Sequence, residues 1–417
     1  MKHKNLLSKR AFLSLIVIFI ITAASSFVYT QSAAPREEKL LNGLKLIMFD
    51  APSGDKVTFK VRIHAGSAFD PQGKEGLMKL LAANVFPNPE AKEYFADKLG
   101  GSLDVESNYD YIQINASSKP ENLVSMIETV AGAIVNMEND KEVTAKLKAS
   151  QLKRIADLGA DPAYVADQAA AARLLGTFPY GRPEDGTAAS INKIDFADLS
   201  DAKHRFFTAD NATVAVAGNF DKSLAFKAVR RYFGAWLKSD KLVPSTFRQP
   251  DDPPTGVQMI DFPVADRSEV RFITRGTSRS SNDFAAYEIA AKITENRLRN
   301  AGQASVTVDS VEHTLPGIFV IRFSGAKTGT NDAVAKALNA ALTDAEFQSA
   351  KQTVVAELNK EEPADRWLDA DTFRSETPTK FYSRAADTSL ADVQNVLSRL
   401  QKQPTASVVV SGAKATN

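Results

Sequence analysis

The sequence predicts an α+β protein of two homologous lobes, each an antiparallel-rich sheet packed with helices on one face. Three observations predict it: a repeated opening segment, a repeated closing segment, and mixed helix and strand periodicities between them. The opening segment GLKLIMFDAPSGDKVTFKV begins at Gly43, and GVQMIDFPVADRSEVRFIT begins at Gly256. At a constant offset of 213, Gly43 falls on Gly256, Phe49 on Phe262, Val57 on Val270 and Phe59 on Phe272. Both alternate apolar and polar residues about a central turn, the pattern of a hairpin with one buried face. The closing segments are IDFADLS and ATVAVAG in the first half, TSLADVQ and ASVVVSG in the second, both at an offset of 194. Each reads as a short helix, a polar turn and a strand ending on glycine.

The elements between follow in order. Leu77 to Leu99 is helical but broken by Pro87 and Pro89. Ser102 to Ala116 reads as a hairpin. Leu123 to Met137 and Ala145 to Asp157 are amphipathic helices. Asp161-Pro162 opens another, with aspartate as cap and proline tolerated in the first turn. In the second half Phe284 to Asn300 reads as a helix, Ala304 to Phe323 as two strands, and Asn331 to Leu358 as mainly helical. Helices and strands mixed within each half give α+β layers. Pro244, Pro250, Pro253 and Pro254 make Ser239 to Thr255 the linker. The boundaries expected are therefore 1–34 for a leader, 37–238 for the first lobe, 239–255 for the linker and 256–417 for the second lobe.

Composition limits the function classes. The 417 residues are 44% hydrophobic and 24% charged, ordinary for a folded globular protein. Fifty-one basic against 50 acidic side chains leave a net charge of +1, which argues against a dedicated nucleic-acid binder. There is no cysteine, so disulfides, thiolate chemistry and a lipidated N-terminal cysteine are excluded. Lys2, Lys4, Lys9 and Arg10 precede an uncharged, mostly apolar run from Ala11 to Val28, with small residues at Ala23–Ser26 and Ser32–Ala34. This is the order of a secretory signal, and it predicts export to the periplasm. The run is also about as long as the minimum membrane span of roughly 17–18 residues, so an uncleaved membrane anchor is the rival reading.

The runs NGLKLIMFDAP, the AGS of Ala65–Ser67, GKEGLMKLLAANVF from Gly73, FPYGRPEDGT from Phe178 and ATVAVAGNFD from Ala212 resemble the insulinase/pitrilysin peptidases, which include the mitochondrial processing peptidases. The resemblance implies the duplicated metallopeptidase fold. In active members the helix after the AGS turn carries H-x-x-E-H: two histidines one helical turn apart ligate zinc, and the glutamate is general base for the metal-bound water. A second glutamate on a later helix completes the site. Here those positions hold Lys79, Ala82 and Ala83, and the later position falls near Lys153. Between Val143 and Ala156 there is no acidic residue. Alanine cannot ligate a metal or take a proton, and an ammonium repels a divalent cation. Neither a metal site, nor a cofactor, nor a catalytic residue is expected.

The resemblance also implies an arginine–tyrosine pair that binds the substrate backbone. Arg297 and Arg299 occupy the arginine region, with Arg299 the candidate, but the tyrosine position falls on Ser305 or Val306. A solvated helix face is the plainer reading of both arginines. His64 at a strand end, His204 in a helix and His313 at a hairpin turn read as structural or surface residues. Trp236, Tyr232 and Phe233 read as core. GAKTGTND from Gly325 lacks phosphate-loop spacing and reads as a turn. The expected function is the non-catalytic subunit of a heterodimeric exported zinc peptidase, paired with a zinc-motif-bearing homologue around peptides. The alternative is a scaffold of envelope assembly with no proteolytic role.

Overall fold

In the computed structural model, residues 35–50, 54–239, 247–248, 250–263, 267–325, 330–375 and 377–412 are described. The expected leader (1–34), most of the linker's first part and residues 326–329 of GAKTGTND lie outside them. Pro35 onward forms one compact unit. Among the described residues no helix is long and apolar enough to cross a membrane.

The first half runs β1 (Arg36–Lys39), β2 (Lys45–Asp50), β3 (Val57–Ile63), α1 (Leu77–Ala83), α2 (Glu90–Asp97), β4 (Ser102–Ser107), β5 (Ile112–Ser118), α3 (Leu123–Val135), α4 (Lys141–Gly159), α5 (Pro162–Leu175), α6 (Ala188–Lys193), α7 (Phe196–Phe206), β6 (Ala212–Gly218) and α8 (Lys222–Phe233). The second runs β7 (Val257–Asp261), β8 (Glu269–Arg275), α9 (Phe284–Asn300), β9 (Val306–Val311), β10 (Ile318–Ser324), α10 (Thr330–Asn339), α11 (Asp344–Leu358), α12 (Pro363–Thr372), α13 (Pro378–Asp387), α14 (Leu390–Lys402) and β11 (Thr405–Ser411).

The two sheets share one topology. The first is ordered β1-β2-β6-β3-β5-β4 and the second β7-β11-β8-β10-β9. In the first, β6 runs parallel to β2 and antiparallel to β3; in the second, β11 runs parallel to β7 and antiparallel to β8. The closing helices share a capping device at the expected offset: the Asp195 and Asp198 box of α7 recurs as Ser389 and Asp392 on α14. Pairing register does not repeat as closely. Val57 pairs with Gly218, whereas Val270 pairs with Val409 rather than Gly412.

Strand alternation sends side chains to two faces. In the first sheet Val57, Phe59, Val61 and Ile63 join a core with α1, α3, α7 and α8. In the second, Val270, Phe272, Ile321 and Phe323 pack with α9, α11 and α14. The opposite face of each sheet takes one helix from the other half. Helix α5 lays Ala166, Ala170 and Leu174 on Ile273, Val408 and Val410 of the second sheet. Helix α12 lays Ala364 and Leu368 on Ile47, Phe49 and Ala215 of the first. This exchange ties the lobes together. Phe233 and Trp236 are buried as the sequence predicts, and Tyr232 packs against the same core.

Candidate functional site

Helix α1 carries the positions where the resemblance places zinc ligands. Asp70 holds its N-terminus, accepting from Gly76 N at 2.7 Å and Met78 N at 2.8 Å. Burial pushes the Asp70 carboxyl up to about 7, against the pull of these two bonds. Gly76 enters the helix at φ 91°, and a Cβ there would lie 2.7 Å from the Asp185 carbonyl oxygen, so glycine is required on both counts. The helix then presents Lys79 half-buried, Ala82 buried and Ala83 exposed.

Helix α4 packs beside α1 and has no acidic residue between Val143 and Ala156. Its Gln151 donates to the Asp185 carbonyl at 2.9 Å, and Arg154 Nε pairs with Asp185 Oδ1 at 2.7 Å. Lys153 is exposed. Lys79 Nζ donates to the Ser107 carbonyl at 3.4 Å. Burial holds the neighbouring Glu184 carboxyl above its ordinary range, while the Lys79 ammonium pulls it the other way. No imidazole stands there, the Asp185 carboxylate is held by Gln151 and Arg154, and the motif positions themselves supply only an ammonium and two methyl groups. These residues do not fit a zinc ion, and no hydroxide can be generated by them. Among the described residues no group of three or more His, Cys, Asp or Glu is arranged to hold a metal.

On the second lobe, Arg297 grips Glu346 through Nε at 2.9 Å and Nη2 at 3.1 Å, and donates to the carbonyls of Ala337, Ala340 and Ala341. It closes the turn between α10 and α11. Arg299 pairs with Glu295 at 2.5 Å and leaves 52% of its side chain open. Ser305 lies in the turn before β9 and Val306 opens the strand, buried, its carbonyl accepting from Arg299 at 3.3 Å.

The histidines are where sequence reasoning missed most. His313 Nδ1 lies 2.7 Å from Asp110 Oδ2, across the lobes, and its ring packs at a tilt against Tyr180, with centroids 4.2 Å apart. His64 Nε2 lies 3.6 Å from Asp371 Oδ2 and 2.9 Å from Thr213 Oγ1, again joining the lobes. Burial opposes ionisation of Asp110 and Asp371, but the hydrogen bonds and charge of His313 and His64 outweigh it, so both carboxyls fall below their ordinary range. His204 is exposed and bonds only within its helix, to the Ser200 carbonyl. The one sequence signal for the bridges was the scarcity of histidine, and scarcity carries no pairing information.

Comparison with known proteins fits this geometry. Residues 193–354 match the family model described as the peptidase M16 inactive domain. A zinc protease of Mycobacterium tuberculosis, itself uncharacterized, is 26% identical over 212 residues, covering 49% of this chain and 48% of the relative. YmxG of Bacillus subtilis, also named an uncharacterized zinc protease, is 22% identical over 206 residues, 48% of this chain and 50% of the relative. The chain spans about half the length of the curated relatives it matches. A Helicobacter pylori protease shares the fold over 90% of this chain and 99% of its own, with TM-score 0.82 and 14% identity. The peptidase M16 inactive domain of Pseudomonas fluorescens does so over 92% and 99%, with TM-score 0.80 and 19% identity. The periplasmic protease PqqL of Escherichia coli matches over 92% of this chain but 49% of its own length, with TM-score 0.73 and 14% identity. The middle of the chain matches the peptidase M16 inactive domain and both lobes share the fold of M16-like peptidases, while Lys79, Ala82 and Ala83 stand where the resemblance places the zinc motif.

Proposed function

We propose that this chain is the non-catalytic subunit of an exported zinc peptidase, forming one wall of a peptide chamber closed by a zinc-bearing homologue. One observation carries the reading: the two-lobed frame is intact while Lys79, Ala82 and Ala83 stand at all three motif positions. A frame kept without its metal ligands keeps its surfaces, and surfaces serve a partner. PqqL supports it, because a chain-sized piece accounts for only 49% of that periplasmic protease and leaves room for a second. The basic, then apolar, N-terminal segment supports export. Arg299, with half its side chain open, is the residue offered to a peptide backbone.

The test uses the purified chain, a zinc-motif homologue encoded beside it, and an equimolar mixture. Expected are no stoichiometric zinc and no hydrolysis from the chain alone. In the mixture, kcat/KM should rise at least about tenfold over the homologue alone, roughly 1.4 kcal/mol of transition-state stabilisation. Chelator-sensitive cleavage by the pure chain would overturn the inactive reading. A mixture no better than the homologue alone would remove the subunit role.

A further inference from the structure

We propose that a cavity at the lobe junction is a binding site for a carboxylate attached to an apolar body. The inference stands apart from the peptidase reading, and the cavity is lined by neither α1 nor α4. Its volume is about 350 Å³, toward the small end of ligand pockets. It opens beside the ends of β1, β3 and β6 and is closed from the second lobe by the Thr314–Leu315 loop and the C-terminal end of α12.

Three features define the ligand. Thr208 lines the cavity at 4% exposure, and its hydroxyl oxygen has no hydrogen-bond partner. A buried hydroxyl without a partner is unfavourable, so a group that meets it is favoured. Phe69, Phe206 and Leu315 supply apolar wall. Lys39, Arg205 and Arg374 are exposed around it, and none makes an ion pair with another described residue. Arg205 instead lies 5.1 Å over the Phe206 ring.

The acids of the cavity are already committed. Asp110 serves His313, Tyr180 and the Thr314 amide; Asp371 serves His64, Thr213 and Lys45; Asp210 accepts from the Ser239 amide. The unspent charge is therefore positive. Arg374 also has φ 54°, the left-handed region, and among the described residues it is the one non-glycine there. It is the residue just past the end of α12, where its amide donates to the Asp371 carbonyl and that of Ser375 to the Ala370 carbonyl, the turn that closes the helix and fixes where the Arg374 side chain starts. Apolar wall, free hydroxyl and uncommitted cations together select an organic anion over a neutral or cationic one. Its carboxylate can come from a peptide C-terminus or from a free monocarboxylic acid.

Isothermal titration of the purified chain separates these. The probes are a hexapeptide ending in leucine with a free or an amidated terminus, and 3-phenylpropionate against its amide. Carboxylate forms should bind at least about tenfold more tightly than amides. Binding by both acids assigns recognition to the carboxylate and apolar group alone; binding by the peptide only assigns a chain terminus. Arg374→Gly, whose backbone accepts the left-handed angle, should fold and lose about tenfold in affinity. Thr208→Val, nearly isosteric, should fold and lose several-fold. Equal binding of acid and amide, no binding of either acid at millimolar concentration, or wild-type affinity in both variants overturns the site.

Discussion

The two sheets are built to one plan, yet the helices exchanged between the halves meet them with opposite chemistry. Helix α5 lies on the second sheet mainly through alanine and leucine, with Asp167 reaching the buried Arg271 and the half-buried Arg322. Helix α12 has two apolar anchors, Ala364 and Leu368, and otherwise meets β3 with charge. Lys60 pairs with Asp365 at 2.6 Å and with Glu362 at 2.9 Å. Arg62, its side chain 2% exposed, pairs with Asp369 at 2.6 Å. One duplicated frame thus accepts a hydrophobic clamp on one side and an ionic clamp on the other. The ionic one depends on partners remaining present and charged.

The largest expected effect breaks that dependence. Asp369→Ala removes the carboxylate of a buried guanidinium and should cost about 3–5 kcal/mol in urea unfolding. Asp369 is 16% exposed and lies 4.0 Å from Arg279 as well. Asp167→Ala, by contrast, removes a carboxylate that is 37% exposed, and Arg271 keeps Glu269 at 3.0 Å. It should cost less than Asp369→Ala, because the buried Arg271 keeps a second carboxylate. If the two variants lose equal stability, the contrast between the clamps is wrong.

Acid should act on the same junction more gently. The folded carboxyls of Asp110 and Asp371 sit below their unfolded value of about 4, so between those values the unfolded chain binds more protons than the folded one. Stability from these groups is then fully present above about pH 4 and is lost as pH falls through the folded values. Each unit of depression is worth about 1.4 kcal/mol. Asp371→Asn should flatten the acid limb of a stability-versus-pH curve. An unchanged limb would show that the His64 bridge contributes nothing.

What the sequence disclosed, and what it hid, follows the same division. Helix α9 was legible end to end because its apolar residues recur with helical period, and the break between α1 and α2 because Pro87 and Pro89 cannot continue a helix. The segment 363–372 carried no such signal. Its meaning lies in acidic side chains that answer Lys60 and Arg62, about 300 positions away. Likewise His313 and Asp110 are 203 residues apart, and no local spacing pairs them. The site divides the same way. The loss of ligands at Lys79, Ala82 and Ala83 is a matter of residue identity and is read directly. The clamp of Gln151 and Arg154 on Asp185 is tertiary and could not be.

The smallest expected effect concerns the outer edges of the sheets. In the first, β1 pairs with β2 and closes the edge. The second ends on β7, which leaves Val257 45% and Met259 65% exposed. An unpaired edge with apolar side chains invites another strand, and lysine on an edge strand suppresses such pairing. Met259 is already exposed, so Met259→Lys should change stability by less than about 0.5 kcal/mol. It should nonetheless lower light scattering during storage at high concentration. Leu46→Lys, on the closed counterpart β2 and 0% exposed, should unfold the chain instead. Met259→Lys samples that scatter as much as wild type would mean the β7 edge is protected by something other than its own sequence.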